Sequence, residues 1–182
     1  MKTRITTFVT LLAAATMAFA GNNAAPLGFE LGTATRTEIQ AGLGEKVELV
    51  EKGISKFSGG VILEGPGDGL GTEHLQRVAF IFDAQQRLAA VELQFPKGFG
   101  NATTTQVADV LQRNYGQVRR NIPAVGDASA RYSKGSSVID LDAPHMSFDF
   151  TVAYMTEAFE KAVRESAANG KASREAATRS RL

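Results

Sequence analysis

With no cysteine in the chain, thiol nucleophiles, disulfides and thiolate metal sites are excluded. Candidate chemistry then falls to two histidines, the carboxylates and the serines. His74 lies in Thr72-Glu73-His74-Leu75, which lacks the second histidine of H-E-x-x-H. His145 follows Pro144 in a turn. Asp140 and Asp142 are two apart on a strand, so their carboxylates face the same way. Paired carboxylates next to a histidine can do acid–base work when a cleft shifts their pKa values. Asp140, Asp142 and His145 therefore define one alternative, a periplasmic hydrolase. Flanked by Val138, Ile139 and Leu141, the two aspartates read more simply as the wet face of an amphipathic strand. No G-x-S-x-G is present, and Gly135-Ser136-Ser137 sits where serine is ordinary turn chemistry. Gly65 to Gly71 (GPGDGLG) lacks the G-K-[ST] ending of a phosphate-binding loop. On these grounds no catalytic residue, metal-ligand set or cofactor is assigned.

Aromatics near element ends can build a partner surface instead. Phe57, Phe99 and Tyr132 are the candidates, with a core role as the competing reading for each. Charge argues against nucleic acid. Removing Lys2 and Arg4 with a leader takes the 20 basic residues to 18 against 19 acidic, a net charge of −1.

That leader reads clearly. Lys2 and Arg4 precede an apolar core, Phe8 to Phe19, and Ala18-Phe19-Ala20 precedes Gly21 as an A-x-A cleavage site. The run is too short for a stable span, and no later stretch replaces it. Residues 1–20 are thus expected to be a signal peptide. The mature chain is expected in the periplasm as a single domain over 21–170, followed by a disordered basic tail over 171–182.

The elements that must position any site begin with Leu27 to Gly44. After a flexible stretch, Gly21 to Pro26, Thr35 caps a helix, and Glu38 three residues on completes a capping box. Ile39 and Leu43 share a face, and Gly44 is expected to leave the helix left-handed. Gly42 weakens so short a helix, which implies close packing there. A second unit runs from Thr104 to Gly116, capped by Thr104 or Thr105, with Val107, Val110, Leu111 and Tyr115 as its stripe. Setting Gly44 on Gly116 places Leu43 on Tyr115 and Ile39 on Leu111, a weak internal repeat.

Strands follow each unit. Lys46 to Val50 and Val61 to Leu63 read as short strands. Arg77 to Asp83 and Leu88 to Phe95 read as an antiparallel hairpin, with Val78, Phe80 and Phe82 facing one way and Val91, Leu93 and Phe95 doing so on the partner. If Ala79 and Ile81 are also buried, a C-terminal helix or a second protomer must cover them. Gln117 to Ile122 is a weak strand, and Ala130 to Tyr132 with Ser137 to Asp142 forms a hairpin around Lys134-Gly135. Ser147 to Tyr154 alternates, with Phe148, Phe150, Val152 and Tyr154 inward. A helix from Thr156 to Asn169 is expected to stop at Gly170.

The helix unit carried by Thr35, Glu38, Ile39, Leu43 and Gly44, followed by antiparallel strands and present twice, resembles the secreted β-lactamase-inhibitor-like fold. It is also similar to the small outer-membrane-assembly lipoproteins built on one such unit, although the lipoprotein cysteine is missing. The resemblance implies an α+β fold of two repeated units, about 27–98 and 99–155. Short helices would pack on the sheet, with a C-terminal helix over 156–169. By analogy it implies a binding role. The expectation is a non-enzymatic periplasmic protein that binds an envelope protein or cell-wall ligand. A small-ligand carrier with a pocket between helix and sheet is the further alternative.

Overall fold

The computed structural model describes residues 22–98 and 100–179, with side chains described as far as residue 170. The leader expected over 1–20 and the candidate Phe99 lie outside the described residues.

The fold is α+β: among the described residues there are one eight-stranded antiparallel sheet and three α-helices, with a short 3-10 turn at Pro26–Gly28. Helix α1 (Arg36–Leu43) precedes β1 (Val50–Ile54), β2 (Gly59–Pro66), β3 (Arg77–Asp83) and β4 (Leu88–Pro96). Helix α2 (Ala102–Asn114) precedes β5 (Gly116–Asn121), β6 (Ala128–Lys134), β7 (Ser137–Ala143) and β8 (Asp149–Thr156). Helix α3 (Glu157–Arg179) follows β8. The strand order β1-β2-β3-β4-β8-β7-β6-β5 puts β4 and β8 side by side at the centre. There Leu93 faces Val152, and Phe95 faces Phe150, their rings stacked 5.2 Å apart. Both outer strands carry a bulge. Lys52 is the extra residue between Glu51, opposite Leu63, and Gly53, opposite Ile62; Val118 is extra between Gln117 and Arg119, opposite Tyr132 and Arg131.

Alternation builds the main core on one face. Val78, Phe80 and Phe82 are fully buried with Val91, Leu93, Phe95, Phe150 and Val152, under Ile39 and Leu43 of α1 and Ala108 and Leu111 of α2. The β3–β4 turn is tied by Asp83, whose carboxylate accepts from the Gln85 and Arg87 amides, with Gln86 left-handed. The lead-in to α1 is stitched to this hairpin. Gly32 N–H donates to the Leu88 carbonyl (2.8 Å), and Leu88 N–H donates to the Ala34 carbonyl (2.7 Å).

The capping box at Thr35 and Glu38 is formed, and that hydrogen bonding holds the exposed Glu38 carboxyl below its ordinary value. Gly44 leaves the helix right-handed (φ −59°) rather than left-handed. Its lack of a side chain matters because a Cβ would stand 2.6 Å from the Gln40 carbonyl oxygen. Gly42 accommodates the edge of the Phe29 ring, 3.0 Å from where a Cβ would be.

Several expectations are corrected. The first strand is Val50–Ile54, not Lys46 to Val50. Lys46 and Val47 instead donate back to the Leu43 carbonyl and prolong the exit of α1. Helix α2 starts at Ala102, before either threonine, and its buried stripe is Thr104, Ala108 and Leu111; Val110 stays 47% exposed. Gly116 begins β5 rather than closing a left-handed stop, because Tyr115 is already extended. Phe148 lies before β8 starts and is 91% exposed, not inward. The stretch after Gly21 is packed from Asn23 on. Ala24 is fully buried, and its amide donates to the buried Ser137 hydroxyl. Helix α3 continues past Gly170 to Arg179, where a basic tail without order was expected. Alanine, glutamate, lysine and arginine are strong helix formers, and one glycine costs only about 1 kcal/mol.

The opposite face of the sheet is covered by α3. Phe159 and Val163 pack on Ala90, Val138 and Met155, with Ile81, Ala153 and Phe57 at the edge. Ile81 stays partly buried there and lines an open hollow beside α3.

Candidate functional site

On the face that carries α1 and α2, a concavity lies over the central β4–β8 seam. Its floor is Leu93 and Phe95 of β4 with Val152 and Tyr154 of β8. Helix α2 supplies Thr103, Gln106, Val107, Val110, Leu111 and Asn114. The 3-10 turn contributes Pro26 and Leu27, and the β2–β3 loop contributes Gly71 to His74. The cavity is about 490 Å³ and half open.

Local sequence explains each part. The floor is the inward row of two alternating strands. The loop wall is held by Leu75, which is buried, and by Gly67 N–H donating to the Gln76 carbonyl (2.9 Å). That anchor lets Glu73 and His74 stand at the mouth, 3.3 Å apart and solvated. Leu27 (φ 55°) and His74 (φ 61°) are both left-handed.

At the back, the Tyr115 and Tyr154 rings meet edge to face at 5.9 Å. Burial drives the Tyr154 phenol far above its ordinary value, with the neighbouring Tyr115 adding to it. Tyr115 is raised by burial, against the opposing pull of the neighbouring Tyr154 side chain. Both stay protonated at neutral pH, so this end of the cleft is uncharged but offers hydrogen bonds.

No family model matches the chain, and neither curated proteins nor solved structures give a match.

Of the residues singled out in the sequence, His74 lines this cleft, and the other described ones lie elsewhere. Asp140 lies on the α3 side of the sheet, where Arg131 donates to both its oxygens at 3.0 and 3.2 Å. Arg131 also bonds Glu160 of α3, which Arg164 approaches at 3.4 Å. Burial raises the Asp140 carboxyl above its ordinary value, and the Glu160 charge adds to this while Arg131 opposes it. Burial alone would lower Arg131, but the Glu160 hydrogen bond and both acid charges outweigh it and hold it raised. Asp142 is exposed on that same face. His145 belongs to the turn after β7, where its amide donates to Asp127 (2.7 Å) and its side chain is exposed. Among the described residues, no three His, Asp or Glu side chains gather as a metal site.

Phe57 is half-buried. It meets Phe159 edge-on at 5.8 Å, with the Lys56 ammonium 4.8 Å from its ring centre. Tyr132 is fully buried, and its hydroxyl donates to the Ala108 carbonyl (3.0 Å), tying α2 to β6. Burial raises its phenol as well. Lys97 is buried too, its ammonium donating to the Pro144 carbonyl at 2.6 Å.

Sequence reasoning could not assemble the lining of the cleft because it comes from five separated segments. The one available signal was the glycine-rich 65–71 loop, considered there only as a phosphate-binding loop. It carries the chain to His74.

Proposed function

We propose that this protein is a non-enzymatic binding protein of the bacterial envelope that takes a small apolar ligand in the cleft between α2 and the 71–74 loop. One observation carries the reading. Three described non-glycine residues have positive φ, and two of them, Leu27 and His74, line this cleft. The third, Gln86, is accounted for by its tight turn. Left-handed backbone at a leucine costs of order 1 kcal/mol and persists where the surroundings impose it, as at ligand clamps. A half-open apolar hollow with a few convergent polar groups is the usual form of a small-molecule site. Binding rather than turnover is supported by the lining, whose titratable pair, Glu73 and His74, sits at the solvated rim without a serine, cysteine or lysine among the lining residues.

The signal-like leader supports delivery to the periplasm, where an envelope or cell-wall molecule is the natural ligand source. A helix followed by four strands, twice, with the halves meeting at β4 and β8, supports tandem units of the β-lactamase-inhibitor-like kind.

The test uses N-phenyl-1-naphthylamine, an uncharged probe that brightens in apolar sites. Val110→Trp fills the mouth from an exposed helix position. It is expected to weaken probe binding roughly tenfold while leaving the thermal midpoint near wild type. Equal binding by wild type and Val110→Trp would remove the cleft from consideration.

A further inference from the structure

We infer, building on the cleft reading above, that the site takes uncharged apolar molecules and discriminates against anions. The argument rests on what lines it. Among its lining residues there is no lysine or arginine. The polar groups reaching it, Thr103, Gln106, Asn114 and the Tyr115 and Tyr154 hydroxyls, are neutral. The one carboxylate is Glu73 at the mouth, beside His74. Helix α2 carries a single cation, Arg113, which is exposed and not part of the lining.

An anion entering this hollow sheds water without gaining a counter-charge, and an unpaired charge in apolar surroundings is strongly disfavoured. It must also pass the Glu73 carboxylate. The first turn of α2 adds only the partial positive charge of a helix end, a minor and screened attraction. An uncharged ring system meets none of these penalties. It gains the apolar floor of Leu93, Phe95 and Val152, and the amides and hydroxyls around it can bond a neutral polar substituent.

The experiment compares two probes of one framework on the mature full-length chain. N-phenyl-1-naphthylamine is neutral, and 1-anilinonaphthalene-8-sulfonate is its sulfonated anion. The quantity compared is the part of each signal that Val110→Trp or Gln106→Trp removes. Both substitutions are neutral and made at exposed positions of α2. The neutral probe is expected to bind at least roughly tenfold tighter in that component. Glu73→Lys, on a well-solvated loop residue, is expected to narrow the gap by tightening the anion several-fold while leaving the neutral probe unchanged. A tryptophan-sensitive site that holds the anion as tightly as the neutral probe overturns the inference while leaving the cleft standing. Neutral-probe binding that neither tryptophan disturbs overturns the cleft itself. A Glu73→Lys gap that does not move removes the mouth carboxylate from the explanation.

Discussion

The two faces of the sheet are held by different means. Under α1 and α2 the contact is almost wholly apolar: Phe80, Phe82, Phe95 and Phe150 are buried, and Phe29 meets Phe80 edge-on at 6.3 Å. Under α3 the apolar contact narrows to Phe159 and Val163, and beside it lies the Arg131, Asp140, Glu160 and Arg164 cluster. Area favours the first face. Burying a large side chain contributes about 2–3 kcal/mol, whereas a part-exposed ion pair contributes about 0–1 kcal/mol. The helix face should therefore set the stability of the chain. The α3 face should set where one helix lies.

The sharpest way to break this contrast is Phe80→Ala. Deleting a fully buried ring from the helix-side core should cost about 3–5 kcal/mol, read as a lower urea midpoint at unchanged slope. Phe159→Ala on the α3 face should cost less, about 2 kcal/mol, because its surroundings open to solvent and can relax. If the second loss equals the first, the two faces are equivalent and the contrast fails.

Asp140→Asn gives the smallest effect and the most pointed one. The Asp140 carboxyl is raised in the folded state, so its contribution is fully present below its unfolded pKa and is lost as pH rises through the folded one. At pH 7 the charged form is thus a slight burden. Discounted for its partly solvated side chain, Asp140→Asn should stabilise by about a few tenths of a kcal/mol. The advantage should vanish as pH falls below the ordinary value of 3.8. A clear loss at pH 7 would mean that the ionic cluster, rather than Phe159, holds α3.

How much of this was legible varied with the range of the interactions. The β3–β4 hairpin could be read because its alternation is strict and Asp83 bonds its own turn. The α1 cap could be read because Thr35 and Glu38 satisfy each other within four residues. Phe148 was misread because alternation does not announce where a strand begins, and the chain enters β8 one residue later. Val110 was misread because the stripe of α2 is centred on small Ala108, which apolar spacing undervalues. Asp140 was placed on the right strand, but Glu160, with which it shares Arg131, belongs to a helix twenty residues away in sequence. The lining of the cleft could not be assembled for the same reason. Leu27, His74, Val110 and Tyr154 become neighbours only once β4 and β8 pair.

The bulges at Lys52 and Val118 bear on how the protein behaves in a crowd. A strand adding to either outer edge would meet a broken ladder with charged Glu51 and Lys52 on β1, or Arg119 and Arg120 on β5. Sheet growth from one molecule to the next is thereby interrupted at both ends. Concentrated solutions should hold separate particles rather than ribbons, even though eight strands without a disulfide offer a long template.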